Sequence, residues 1–457
     1  SHNPYSDSFA RIADRVGMLV VDELTDKWSD NDYWGGRQPF THIWHKLITE
    51  WIKRDRNRPS IILWSLGNEL QIREGWAGFE GTNDWGITTY NIFNQLVKRW
   101  DHTRLTTVAM FPARAGAITR HDKEFNDYLV PPELACATEV ASFNYQSDKY
   151  DAYLKYRPDL ILFQSEAETS NLLQPYYNMD KERMVGIAYW GSVEYWGESN
   201  KWPKKGWNYS FFEHTMRPYP QAYLIKTAFM PEIPEVHIGV VDAAGAESVS
   251  WNDVIVGRMA LNECWNHTPG SRRSLFTFTN AHSVELLVNG QSMGIQKNDT
   301  TRANLRNMIY WKDVPYGNGG SVVAIARDKS GKEVARHRIE TAGKAVALRI
   351  EAETPTDWKA DGMDLQYINV TVIDKKGRPV WDYNEPLTLQ MEGAARLVAL
   401  DNGDHYTDEL FHGITSKRMY QGRMQIILRS DQEAGNVTVK ISSAGLKGTL
   451  RLKTIKE

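Results

Sequence analysis

Apolar positions in the first half of the chain follow two alternating rhythms. Short runs apolar on both faces occur at 18–24 "MLVVDEL", 60–69 "SIILWSLGNE", 105–110 "LTTVAM", 140–145 "VASFNY", 160–168 "LILFQSEAE" and 185–195 "VGIAYWGSVEY". Their length and content are those of buried strands. Between them the spacing becomes helical. Phe9, Ile12, Ala13 and Val16 recur at intervals of three and four and stop at Gly17, which predicts a glycine-capped helix. Ile43, Trp44, Leu47, Ile48, Trp51 and Ile52 line one face of a second helix that ends before Pro59. Tyr90, Phe93, Val97 and Trp100 line a third. Strands apolar on both faces and separated by helices predict a parallel α/β sheet.

Six such strands fit an open doubly wound sheet or a (β/α)8 barrel lacking two strands. Polar and ionisable residues favour the barrel, because they close nearly every run: Asp22 and Glu23, Asn68 and Glu69, Asn144 and Tyr145, Glu166, Glu194. Barrel enzymes gather their chemistry at the C-terminal ends of several strands, whereas an open sheet concentrates it at one switch point. No glycine-rich phosphate loop follows any run.

The pattern breaks at "MPEIPEV", residues 230–236, and short alternating strands take over. Asn289-Gly290 is a hairpin signal, and 321–335 and 367–380 share a plan of a strand followed by a D-K-x-G turn. With no helix-period stretch beyond residue 235, this half reads as β-sandwiches of about 100 residues each. The expected domains are a barrel over 1–230, a sandwich over 231–343 and a second sandwich over 344–457, the linker lying near 341–346.

Composition narrows the partners. At 41% hydrophobic and 24% charged with net charge −3, the chain offers no electrostatic case for nucleic acid or an anionic membrane surface. No apolar run has transmembrane length. Two cysteines far apart, Cys136 and Cys264, support neither a disulfide framework nor a zinc pattern. Seventeen Trp and 21 Tyr, many beside Gly, Asn and Asp in the first half, suit either carbohydrate stacking or a large core. The chain opens on Ser-His without an initiator Met and is read as processed or a fragment.

An acid at the tip of an apolar strand calls for a use, and Glu69 and Glu166 are two such acids on different strands. Paired carboxyls across a barrel mouth are what glycoside hydrolysis requires: one protonates the leaving oxygen, the other attacks the anomeric carbon or activates water.

The tracts 1–23, 54–69 "RDRNRPSIILWSLGNE", 143–145 "FNY", 160–170 "LILFQSEAETS" and 186–199 "GIAYWGSVEYWGES" together resemble glycoside hydrolase family two, that of β-galactosidases, β-glucuronidases and β-mannosidases. The tail tracts "SVELLVNGQSMG" (283–294) and "LVALDNGDHYTDELF" (397–411) resemble accessory sandwiches of a subgroup. The resemblance implies α/β plus all-β architecture: barrel strands three to eight, then two immunoglobulin-like β-sandwiches. It implies that Glu69 is the acid/base and Glu166 the nucleophile of a retaining double displacement. It further implies that Asn68 contacts the sugar, Tyr145 bonds near the nucleophile, Trp190 floors the subsite and His2 borders it. Glu194 stands where the family more often has Asp, and Arg58 where His is common.

The family's N-terminal sugar-binding and sandwich domains and first two barrel strands are expected as a missing N-terminal segment of the same protein. The tract 200–223 resembles the β-galactosidase branch more than the β-glucuronidase branch, whose Asn-x-Lys element has no clean match despite Lys204, Lys205 and Arg217. The expectation is an exo-acting β-galactosidase-like hydrolase of oligo- or polysaccharide, with β-glucuronidase and a non-catalytic carbohydrate-binding scaffold as alternatives. No cofactor is expected. Mg²⁺ or Na⁺ occurs in some relatives, but no matching His/Glu set is found here. A periplasmic or secreted location is expected over the cytoplasm, and a homo-oligomer remains open.

Overall fold

The computed structural model describes residues 2–28, 38–70, 86–111, 130–145, 147–169, 173–199, 202–242, 247–251 and 254–456. They form two compact units: Ser1–Glu168, Gln174–Trp190 and Ser250–Ile255 in one; Thr169–Leu173, Gly191–Val249 and Val256–Glu457 in the other.

In the first unit, β1 (Val20–Glu23), β2 (Ile61–Asn68), β3 (Leu105–Met110), β4 (Val140–Asn144), β5 (Leu162–Glu168) and β6 (Met184–Trp190) make one sheet. Every pairing is parallel and the strands lie in chain order. A doubly wound sheet reverses order at a switch point, and this one does not, so it is a partial (β/α)8 barrel as expected.

The helices lie where apolar spacing placed them. In α1 (Asp7–Val16), the Ser6 hydroxyl accepts the Phe9 amide at 3.2 Å and Gly17 closes the helix at φ +74°. A left-handed residue of this kind costs least as glycine. α2 (Phe40–Asp55) and α3 (Ile87–Trp100) bury Ile48, Trp51, Ile52, Tyr90, Phe93 and Val97 in one core with Trp64 and Leu66 of β2. Leu63, Val140 and Phe163, with Val21 against them, make a smaller cluster from four strands. This two-sided burial explains why β2 reads as a continuous apolar run.

One run is shorter than expected. The tract 185–195 leaves the sheet after Trp190, and Glu194 instead donates its amide to the Phe212 carbonyl at 2.9 Å, inside the second unit.

The second unit carries one ten-residue helix, Pro220–Phe229, and then antiparallel strands alone among the described residues. Two four-stranded sheets built from strands between Val236 and Glu340 enclose Trp265, Leu286, Trp311 and Val322. Two more, from strands between Ala345 and Lys453, enclose Trp358, Val370, Ile426 and Val439. These are the immunoglobulin-like sandwiches. The hairpin signal is a two-residue turn with Asn289 at φ +51° and Gly290 at +82°. In the repeated D-K-x-G turns, Asp328 Oδ1 accepts the amides of Ser330 and Lys332, and Asp374 Oδ1 those of Lys376 and Arg378. Both cysteines are free thiols. No described helix is long and apolar enough to cross a membrane.

Candidate active site

β2 delivers Asn68 and Glu69 at its C-terminal end, and β5 delivers Glu166. Glu69 turns off the strand with φ +50°, its amide held by the Ala109 carbonyl of β3 at 2.7 Å. Tyr145 does the same beyond β4, at φ +59°, with its amide on the Glu166 carbonyl at 2.7 Å. Left-handed non-glycine residues cost of order 1–3 kcal/mol each and cluster at functional sites. Two of them here turn side chains from the strand ends.

Asn144 of β4 ties the acids' surroundings together. Its amide nitrogen donates to Asn68 Oδ1 at 2.9 Å and to Glu69 Oε1 at 3.1 Å. Its oxygen accepts the Ser165 hydroxyl at 2.8 Å, from the residue preceding Glu166. Asn68 Nδ2 donates to Asp26 Oδ1 at 3.0 Å, and the Asn68 carbonyl accepts the buried Lys27 ammonium at 3.0 Å. Glu23 closes the other side, accepting His2 Nδ1 at 2.8 Å and the Ser65 hydroxyl at 2.6 Å. His2 in turn stacks on Trp190, ring centroids 5.1 Å apart and planes 13° from parallel. A cleft of about 440 Å³ is lined by His2, Glu23, Asn68, Glu166 and Trp190.

Electrostatics set the protonation. Burial raises the Glu69 carboxyl above the ordinary range, against the Asn144 hydrogen bond and the charges of Lys27 and His2. Burial and then the charge of Glu69 push Glu166 up to about 8, against His2 and the Tyr145 hydrogen bond. A buried carboxyl beside a second carboxylate holds its proton over a pH range where a lone carboxyl has lost it. A one-proton pair supplies a donor and an anion. Burial and the charge of Glu69, which raise Glu166 to about 8, place that proton on Glu166, so Glu166 must give it up before it can attack. For His2, burial disfavours the cation, but the Glu23 bond and the charges of Glu23, Glu166 and Asp26 outweigh it and hold the ring near 9.

The structure thus brings together all six residues singled out, Glu69, Glu166, His2, Asn68, Tyr145 and Trp190, within the barrel unit. It adds Glu23, Asp26, Lys27 and Asn144. Glu23 and Asn144 carried a signal as strand-end polar residues; Asp26 and Lys27 lie in a loop and carried none.

Other strand-end and basic residues go elsewhere. Asp22 accepts the Trp51 indole at 2.7 Å in the helix layer. Glu194, Lys204, Lys205 and Arg217 belong to the second unit. There Lys204 is buried with its ammonium 3.0 Å from the Tyr209 hydroxyl, Lys205 reaches the Thr407 carbonyl, and Arg217 pairs with Glu213 and Glu263. Asn200 and Lys201 of the same tract lie outside the described residues.

Comparison with known proteins agrees with this layout. Residues 1–181 match the family described as "Glycosyl hydrolases family 2, TIM barrel domain", and 348–450 match "Glycoside hydrolase family 2 C-terminal domain 5". Residues 270–335 match a domain described only as of unknown function. A Formosa agariphila protein, provisionally named a beta-glucuronidase, is 49% identical over all of this chain and 45% of its own length. Beta-galactosidase BoGH2A of Bacteroides ovatus is 24% identical over 98% of this chain and 56% of its own. The crystal structure of a glycosyl hydrolase family 2 member from Bacteroides cellulosilyticus superposes with a TM-score of 0.81 at 26% identity, covering 99% of this chain and 56% of that one. The chain spans about half the length of these relatives. The ordered barrel strands, the paired acids and the two family domains together assign this chain to glycoside hydrolase family 2.

Proposed function

We propose that the protein is a retaining exo-β-glycosidase acting by double displacement, with Glu69 as acid/base and Glu166 as nucleophile. The carrying observation is the pairing of two buried carboxyls at strand ends, Glu69 tethered by Asn144 and Glu166 raised by burial and by the charge of Glu69. In the first step Glu166 attacks the anomeric carbon while Glu69 protonates the departing oxygen. In the second, Glu69 takes a proton from water as that water displaces Glu166. Trp190 and His2 offer a flat aromatic wall beside the acids, suited to a sugar ring.

Terminal β-galactosides are the leading substrate class, from the likeness of tract 200–223 to that branch. The provisional name of the 49% identical relative favours β-glucuronides as the second reading. The sheet itself supports a companion segment: β1 and β6 end it on either side, and Leu19, Ile62 and Val185 are 70%, 48% and 60% exposed. Parallel sheets are normally covered on both faces. The preceding segment of the same protein would cover this apolar surface and complete the barrel.

The test is release of nitrophenol from β-galactoside and β-glucuronide, by the chain alone and joined to its preceding segment. Turnover of either by the joined form, lost in Glu166→Gln, supports the glycosidase, and the preferred substrate decides the class. Sugar binding without turnover in the joined form would leave a carbohydrate-binding protein instead.

A further inference from the structure

The second unit holds a buried cluster that the proposed glycosidase chemistry does not use. Glu194 Oε2 lies 3.0 Å from His405 Nε2 and 3.4 Å from His214 Nδ1. The three side chains are 0%, 3% and 6% exposed, and their candidate donor atoms all lie within 4.8 Å of one another. His214 Nδ1 and both ring nitrogens of His405 are buried and make no well-directed hydrogen bond, although both rings lie within ion-pair distance of Glu194. An unbonded buried ring nitrogen costs about 1–3 kcal/mol in lost hydration.

The outer contacts give the cluster a direction. His214 Nε2 faces Asp401 Oδ1 at 2.9 Å. A carboxylate accepts only, so the ring donates from Nε2, which leaves the Nδ1 lone pair toward Glu194 when the ring is neutral. Glu194 Oε1 accepts the Tyr219 hydroxyl at 2.8 Å, and Oε2, on the histidine side, accepts the His214 backbone amide at 3.4 Å. Trp196 lies against both imidazoles, at 4.7 and 5.1 Å between ring centroids.

We infer that Glu194, His214 and His405 form a site for a zinc-like divalent cation, with Asp401 orienting His214. Ligands 2.0–2.1 Å from a tetrahedral metal stand about 3.3 Å apart, and the two measured separations, 3.0 and 3.4 Å, bracket that value. A carboxylate on the far nitrogen of a ligating histidine is the usual outer partner at zinc. A bound ion would tie the chain following β6 to the loop that carries His405, both in the second unit. A neighbouring cluster, His237, Glu263 and His337, lacks this logic. There Arg217 already neutralises Glu263, and His337 Nδ1 accepts the Ile238 amide.

The test titrates zinc, and cobalt as its visible reporter, into the full chain stripped of metal. One equivalent of zinc and an intense tetrahedral cobalt spectrum are expected. His405→Ala should weaken binding at least a hundredfold, Asp401→Asn by about 10–100-fold, and His337→Ala should leave it unchanged. Each variant's fold is checked by circular dichroism. Should His405→Ala misfold, Asp401→Asn, which keeps all three ligands, decides. Absence of stoichiometric zinc in the wild type, or equal affinity in folded His405→Ala or Asp401→Asn, overturns the site.

Discussion

Asn144 donates to Glu69 Oε1 at 3.1 Å from the end of a strand two places along the sheet. The same amide group holds Asn68 and accepts Ser165, so one side chain links the ends of β2, β4 and β5. The catalytic proposal depends on this bridge, because it fixes where a buried acid points.

Removing the bridge should cost both position and stability. Asn144→Ala leaves Glu69, Asn68 and Ser165 short of a partner inside the barrel. A loss of about 1–3 kcal/mol is expected by urea unfolding. In a form that hydrolyses aryl β-glycosides, kcat should fall more than KM rises. Unchanged kcat with lowered stability would make the residue structural alone.

The two acids should fail differently. Glu166→Gln is expected to abolish turnover on every substrate. Glu69→Gln should lose about 10²–10⁴-fold on poor leaving groups and still release a burst of an activated phenol. The absence of that burst, with an intact fold, would refute the acid/base assignment.

Charge coupling gives a signed prediction. A negative neighbour raises a carboxyl pKa, so removing it lowers the pKa. Glu69→Gln should therefore bring Glu166 down from about 8 toward the ordinary carboxylate range, with burial keeping it from arriving there. Carboxyl-carbon NMR titration reads the shift; an unmoved Glu166 would show that the acids do not interact.

Asp22 predicts a stability change that does not involve the two acids. Burial raises it to about 7, opposed by the Trp51 bond and reinforced by Asp55. The folded state thus binds a proton the unfolded chain releases, so this stabilisation is complete below about pH 4 and is lost as pH rises through about 7. Asp22→Asn should flatten that dependence and raise the urea midpoint at pH 8 relative to wild type, with little change at pH 4.

Gly67 tests packing beneath the site. A Cβ there would meet Trp28 Nε1 at 2.8 Å, and that indole donates to the Leu66 carbonyl at 2.7 Å. Gly67→Ala should destabilise by about 1–3 kcal/mol, read as a lowered melting temperature.

What the sequence determined by itself is what depends on period and local chemistry. Runs such as 61–66 had to be strands apolar on both faces, Gly17 and Asn289-Gly290 had to be caps and turns, and Glu69 and Glu166 had to stand at strand ends. Those features follow from backbone sterics and from the burial of apolar faces, both of which are written residue by residue. Tertiary structure decided which polar groups meet. Asp26 and Lys27 underpin Asn68, Asn144 reaches across to Glu69, and Asp22 turns to Trp51 while adjacent Glu23 turns to His2. Glu194, expected at a strand end, instead joins His214 and His405 from distant tracts. Directional contacts between residues far apart in the chain have no period, so they become visible only once the packed strands and loops fix their positions.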